Sequence, residues 1–205
     1  MKSVKEMILE SPVGYALWSV PFNKPKILAV KRLLEKNQKT RGRVLDVGCG
    51  PGSNAPVFAD GFDYLGVDFN PQYIESALKL FPKMSFLVGD ATKLNLDGKK
   101  FDLILINSLM HHLDNEECNK LMTDLKPLLA EKGIIIVQEP LIPPINKPFM
   151  TLMMNQDRGD YFRHLEDWQK IFSSANFQIN DEDFYLMKLF GLTGWSMYSA
   201  LLTAK

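Results

Sequence analysis

An α/β fold, with a parallel sheet covered by helices on both faces, is what this 205-residue chain predicts. Three observations predict it. Short apolar runs alternate with amphipathic helical stretches from residue 43 to 139. One run, Ile134–Val137, is continuously β-branched, as a central strand buried on both faces should be. And residues 44–52 read Val-Leu-Asp-Val-Gly-Cys-Gly-Pro-Gly, a strand that runs into a loop with glycine at alternate positions. Such a loop marks a backbone that must approach a ligand closely.

Residues 1–40 are expected to be helical and to lie outside the sheet, with Ile27, Val30, Leu33 and Leu34 on one face and Lys31 at its edge. Strands are expected at 43–47, 63–67, 84–88, 101–107 and 133–139, separated by helices at about 54–59, 71–80 and 114–129. Pro56 is tolerated near the start of the first of these helices, and Pro71 opens the second. Asp114-Asn-Glu-Glu117 resembles a capping box for the third, whose apolar set Cys118, Leu121, Met122 and Leu125 keeps a helical period. Pro127 should kink or end that helix. After Pro140 the pattern changes. Residues 140–154 carry four prolines (Pro140, Pro143, Pro144, Pro148) and three methionines (Met150, Met153, Met154). A helix at about 165–175 and strands at about 177–186 and 195–203 follow, with Leu186–Gly194 as their connection.

The length suits a single domain: a helical cap at 1–40, a core at 41–139, and a lid with the last strands at 140–205. Lys and Arg total 24, as do Asp and Glu, so no global basic field draws in nucleic acid. Cys49 and Cys118 form neither a disulfide framework nor a metal spacing, so no metal is expected and a reducing cytoplasm fits. No basic stretch followed by a long apolar core opens the chain, and Pro12–Phe22 is too short to span a bilayer. Stable membrane insertion is therefore not expected.

Three strands end in a carboxylate: Asp46 at the glycine loop, Asp68 in Gly-Val-Asp-Phe-Asn, and Asp90 in Gly-Asp-Ala. One such aspartate is an ordinary turn or cap residue; three at successive strand ends suggest a binding edge. The loop departs from the dinucleotide pattern G-x-G-x-x-G, because its third glycine comes one place early and Ser53 takes the reserved position. Asp46 would repel a pyrophosphate but attract an ammonium. S-adenosylmethionine carries an ammonium and no phosphate. Asp68 stands about 20 residues beyond the loop, where a carboxylate accepts from ribose hydroxyls.

Val44–Gly52, Gly66–Asn70, Gly89–Ala91 and Phe101–Leu113 together resemble the class I S-adenosylmethionine-dependent methyltransferases. The resemblance spans roughly residues 40–180. It implies a three-layer Rossmann-like sandwich whose seven-stranded, mostly parallel sheet has an antiparallel last strand. It implies that Asp46, Gly48, Gly50 and Gly52 hold the methionine part of the cofactor, and that Asp68 holds the ribose. Phe69 would flank the adenine, Asp90 and Ala91 would read its edge, and Asn107 would offer its backbone to the amino group. S-adenosylhomocysteine would be the product.

Methyl transfer from a sulfonium needs no metal and no covalent enzyme intermediate, and positioning alone can supply roughly 7–11 kcal/mol. A base helps when the acceptor is a hydroxyl, phenol or enol. His111 and His112 lie just past the fourth strand, and Glu139 just past the fifth; each is a candidate base, with a loop, core or strand-end role as the alternative. Arg158, Tyr161, Arg163 and His164, in the polar segment that opens at Asp157, can anchor a substrate carboxylate or phosphate, or simply start the next helix. Tyr15 and Trp18 are candidate substrate contacts from the N-terminal segment. With Met150, Met153, Met154, Phe190 and Trp195 they can form an apolar lid or, equally, a homodimer face.

The expected reaction is methylation of a small, partly apolar metabolite. Asn107-Ser-Leu-Met, in place of Asn-Pro-Pro and an aromatic, disfavours methylation of DNA bases or of glutamine. The alternatives are a cyclisation or rearrangement on the same scaffold, and a non-catalytic cofactor-binding partner protein.

Overall fold

The glycine-loop strand lies near the middle of the sheet, and the architecture is built outward from it. The computed structural model describes residues 12–94, 96, 98–157 and 159–205, apart from the side chains of residues 12–20 and 92. The helices are α1 (Pro12–Lys36), α2 (Pro71–Leu80), α3 (Asn115–Leu125), α4 (Pro148–Gln156) and α5 (Leu165–Ser174). The strands are β1 (Gly42–Val47), β2 (Phe62–Asp68), β3 (Ser85–Val88), β4 (Phe101–Asn107), β5 (Leu129–Pro140), β6 (Phe177–Leu189) and β7 (Leu192–Ala204).

All seven strands join one sheet in the order β3-β2-β1-β4-β5-β7-β6. Strands β1 to β5 run parallel, and β7 inserts antiparallel between β5 and β6. This is the expected mostly parallel sheet. The order reverses between β1 and β4, and the crevice at such a reversal, beyond the carboxyl ends, is where open α/β sheets bind ligands.

The layers follow from the two-residue period of the strands. Val44, Leu103, Leu105 and Ile136 point to one face, where Val30, Leu33 and Leu34 of α1 cover them. Leu45, Ile104, Ile106 and Ile135 point to the other, against Leu121 and Met122 of α3 and Trp168 and Phe172 of α5. Each fully buried aliphatic side chain contributes about 1.5–3 kcal/mol, so Ile104→Ala in the centre would cost about 2–5 kcal/mol. The α1 helix is also tied to the edge strand β6 by Arg32 with Asp183 and Lys36 with Asp181.

Three local expectations need correction. The stretch at 54–59 is not an α-helix but one 3₁₀ turn, Ala55–Phe58, closed by Val57 N–H donating to Asn54 O. Pro56 supplies no N–H, and the segment is too short to build an α ladder. The helix at 114–129 stops at Leu125, and residues 126–128 form a 3₁₀ turn around Pro127. Its capping box is present as read: Asp114 accepts from Glu117 N–H, and Glu117 accepts from Asp114 N–H. Finally, Leu186–Gly194 is not a connecting loop. β6 and β7 pair through it as a continuous hairpin that turns at Phe190-Gly191. Gly191 sits in that two-residue turn, and Gly194 is the extra residue where the ladder shifts register between Met187 and Lys188.

Candidate active site

The carboxyl ends of β1, β2 and β4 surround the glycine loop. Gly48 and Gly50 have φ of 73° and 55°, a left-handed conformation that side chains resist. A Cβ on Gly48 would also stand 3.1 Å from Leu109. The loop is held shut from below, because Gly48 and Cys49 both donate to Val67 O at 2.8 and 3.0 Å.

Two carboxylates flank this loop. Asp68 is buried and accepts from Gly50 N–H and Asn70 N–H, both at 2.9 Å. These amides fix the carboxylate's orientation. Phe69, beside it, is 73% exposed, an unusual posture for an aromatic and one suited to lie against a flat ring. Asp90 and partly buried Ala91 follow β3 at the same edge, where Val88 is also exposed.

Asp46 is fully buried. It accepts from Tyr64 Oη at 2.8 Å and from Asn54 Nδ2 at 3.2 Å, both neutral donors. Burial raises its carboxyl to about 7; the Tyr64 and Asn54 bonds oppose the rise, and nearby Asp68 adds to it. A cation entering the loop would therefore find a carboxyl ready to lose its proton. Asn54 links Asp46 onward, since its Oδ1 accepts from Asn107 Nδ2 at 2.9 Å. Ser108 Oγ donates to Asn107 Oδ1 at 3.2 Å, and Lys26 Nζ donates to Ser108 Oγ at 2.7 Å. Every bond in this relay points its donor toward Asp46, so α1 is wired to the floor of the loop.

The sequence reading missed Lys26, Asn54 and Tyr64. Lys26 lies 82 positions from Ser108 and reads as one more polar residue of an amphipathic helix. Burial lowers its pKa, while Asp157 and Glu139 pull the other way. Ser108 itself has φ 56°, a strained posture for serine that the relay holds in place.

The candidate bases change character in the structure. Glu139 is fully buried and spends both oxygens on the turn after β4. Its Oε1 accepts from Leu109 N–H (2.9 Å) and Met110 N–H (2.7 Å). Its Oε2 faces His111 N–H (3.3 Å) and His111 Nδ1 (2.7 Å). Both oxygens of this carboxylate are therefore engaged in shaping the turn. His111 is also buried, with Nε2 3.2 Å from Asp157 Oδ1. Burial pulls its pKa down, but Glu139 and Asp157 on its two nitrogens outweigh that and lift it to about 9. An imidazolium with both nitrogens engaged has no lone pair for an acceptor's proton. His112 packs on His111 with ring centroids 4.2 Å apart. His111, His112 and Asp157 bring three donor atoms within 4.8 Å, the one metal-like cluster among the described residues. The His111–Asp157 contact at 3.2 Å accounts for two of the three.

The expected substrate anchors are scattered. Arg163 is buried and donates to Asn115 Oδ1 and to the carbonyls of Met110, Tyr161 and Leu113. Its guanidinium lies 4.7 Å over Trp168. It clamps the turn after β4 to α5 and has no face for a ligand. His164 is exposed and caps α5 through its backbone only. Tyr161 is 43% exposed and donates its N–H to His111 O, so it remains at the same edge. Tyr15 and Trp18 lie on α1, but their side chains are outside the described residues, as is Arg158. Of the expected lid, Met150, Met153 and Trp195 are core, and Met153 and Trp195 pack with Phe22, whereas Phe190 stands 95% exposed at the hairpin tip.

Comparison with known proteins agrees with this fold. Residues 44–133 match a family model described as a methyltransferase domain. The chain is 32% identical over 99 residues to a trans-aconitate 2-methyltransferase of Methylobacterium radiotolerans, covering 47% of this chain and 37% of that protein. It is 29% identical over 111 residues to a demethylmenaquinone methyltransferase of Renibacterium salmoninarum, covering 54% and 46%. The match thus spans less than half the length of either relative. Among solved structures, it superposes on an S-adenosylmethionine-dependent methyltransferase of Leishmania major with a TM-score of 0.78 at 14% identity, covering 97% of this chain and 80% of that one. A magnesium protoporphyrin IX methyltransferase of Synechocystis, solved with S-adenosylhomocysteine, superposes with a TM-score of 0.68 at 17% identity, covering 91% and 84%.

Proposed function

We propose that this chain, whose residues 44–133 match a methyltransferase domain, is a class I S-adenosylmethionine-dependent methyltransferase that methylates a small, partly apolar metabolite. The observation that carries this reading is the pair of buried carboxylates on either side of the glycine loop. Asp46 is bonded to neutral donors, and Asp68 is oriented by two amides. Those residues fit S-adenosylmethionine: Asp46 and the amides of the glycine loop for its amino acid, Asp68 for its ribose, and Phe69 with Asp90 for its adenine. When bound, that cofactor supplies an electrophilic methyl group on a sulfonium.

The chain's own contribution is positioning and proton handling. Glu139 and Arg163 fix the turn after β4 that walls the crevice. His111 stays doubly protonated between two carboxylates and gives that wall its charge balance. Of the groups at this edge, Lys26 is the one we assign to meet an acceptor. Its ammonium is fixed by Ser108 at the carboxyl edge, and burial loosens its proton. It suits an acceptor whose attacking atom is an acidic oxygen or an enolic carbon, and it would repel an ammonium.

Two measurements test the proposal. S-adenosylhomocysteine should bind the purified protein in a calorimetric titration. Incubation with S-adenosylmethionine and a panel of phenols, enols, quinols and carboxylic acids should yield a product heavier by one methyl group. Absence of any calorimetric heat or thermal shift would leave the non-catalytic partner reading in its place. Turnover without a mass gain would favour cyclisation or rearrangement.

A further inference from the structure

The molecule's other unexplained feature lies away from the carboxyl edge, at the tip of the β6–β7 hairpin. Phe190 and Gly191 turn it with φ of 51° and 80°. A two-residue turn with positive φ at both positions suits Asn-Gly or Gly-Gly. A bulky aromatic in that posture is strained, and at 95% exposure no burial offsets the strain. Nearby, Ile145 is 91% exposed, Leu192 56% and Leu186 53%. Leu186 and Leu192 line one groove of about 380 Å³ with Pro144 and Lys147. Ile145 directly follows Pro144, and Phe190 stands two positions before Leu192, so both exposed side chains adjoin this groove along the chain.

The two segments that carry this surface hold charge of a single sign. Between Leu141 and Gln156, and again between Phe184 and Ser196, the charged residues are Lys147 and Lys188 alone. Lys188 shares the outward face of β6 with Leu186, two positions away. An aromatic tip and aliphatic side chains flanked only by lysines is the composition of a peripheral membrane contact. The apolar groups enter the acyl boundary, and the lysines pair with anionic headgroups. A protein partner of ordinary composition would call for acidic groups around the rim as well; these two segments supply no acidic side chain, only the lysines and neutral polar groups such as Asn146, Thr193 and Ser196. No described helix is long and apolar enough to cross a membrane, so the contact would be with the surface.

We infer that the β6–β7 hairpin tip and the Pro144–Lys147 loop dock this protein onto an anionic lipid bilayer, with Phe190 and Ile145 inserted and Lys147 and Lys188 on the headgroups. The inference stands on this surface alone and goes beyond the reaction proposed above.

Sedimentation with vesicles tests it. The full chain should pellet with vesicles of phosphatidylglycerol and phosphatidylcholine, at least tenfold more than with phosphatidylcholine alone, and less as salt rises. Phe190→Asp should lower that partition at least tenfold, and Lys147→Glu with Lys188→Glu should do the same. Phe190→Asn should raise the melting temperature, because asparagine tolerates the turn, while still weakening vesicle binding. Leu80→Ser, at an exposed leucine of α2, should change nothing. S-adenosylhomocysteine affinity should be equal in all these variants, which separates this test from that of the active site. No sedimentation with anionic vesicles, or sedimentation that Phe190→Asp leaves intact, overturns the inference. So does concentration-dependent dimerisation that Phe190→Asp abolishes without any vesicle binding, since the surface is then a self-interface.

Discussion

Lowering the pH from about 8 to about 6 should weaken S-adenosylhomocysteine binding about tenfold, and Asp46 is the reason. Its carboxyl titrates at about 7 in the free protein. An ammonium placed beside it favours the ionised form and returns the pKa toward its ordinary value of 3.8. Binding then requires the carboxylate. About nine-tenths of molecules carry it at about pH 8 and about one-tenth at about pH 6, so the affinity ratio is about tenfold, or about 1.4 kcal/mol. Near neutrality each binding event should release about half a proton, which calorimetry in two buffers of different ionisation enthalpy reads directly. The free protein should show the opposite linkage. A buried acid with a raised pKa holds its proton more tightly when folded, so stability falls as pH rises from 3.8 through about 7. Asp46→Asn should bind at a pH-independent affinity over this range. Equal affinity at both pH values in the unaltered protein would falsify the reasoning, as would the same slope in Asp46→Asn.

Asp68→Ala should remove two charge-assisted bonds to the ribose, each worth about 1.5–3 kcal/mol, and so weaken S-adenosylhomocysteine at least a hundredfold. The circular dichroism spectrum should be kept, and tight binding by that variant would count against the assignment. His111 predicts a stability profile of its own. Its folded pKa of about 9 exceeds its ordinary 6.5, so its contribution is complete below 6.5 and is lost as pH rises through about 9. The loss is at most about 3 kcal/mol. Urea unfolding of the native chain and of His111→Gln across that window should differ in slope; parallel profiles would show that the imidazole is not held between two carboxylates as described. Lys26→Met should leave S-adenosylhomocysteine affinity within about threefold while lowering kcat/KM for a phenolic or enolic acceptor by about 10²–10⁴. Lys26→Arg, whose guanidinium keeps its proton, should not restore the rate. Full activity in Lys26→Met would assign the proton step elsewhere.

Much of the site was legible because its code is local. The glycines at 48, 50 and 52 sit where positive φ is needed, and that need is visible in residue type alone. Asp46 and Asp68 follow apolar runs short enough to be strands, which places both at the carboxyl edge before any contact is known. The limits of local reading show at Glu139, His111 and Arg163. Glu139 and His111 are titratable side chains just past strand ends, and Arg163 is a charged one in a polar segment that leads into a helix. In the structure, each is consumed by backbone groups and by partners distant in sequence. Glu139 and Asp157 lie 28 and 46 positions from His111, and Leu113 lies 50 from Arg163. Lys26 is the mirror case, an inconspicuous helix lysine that becomes a site residue only because α1 crosses to the end of β4.

The amino-acid order by itself determined the strand–helix alternation, the glycine loop and the acidic strand ends, because period, backbone freedom and capping act within a few residues. Tertiary structure alone decided which polar groups remain available for chemistry. A buried donor or acceptor must find a partner, and which partner it finds depends on how elements far apart in the chain pack together. That packing made a turn-former of Glu139 and an imidazolium of His111, carried Lys26 to Ser108, and left Phe190 at an exposed tip.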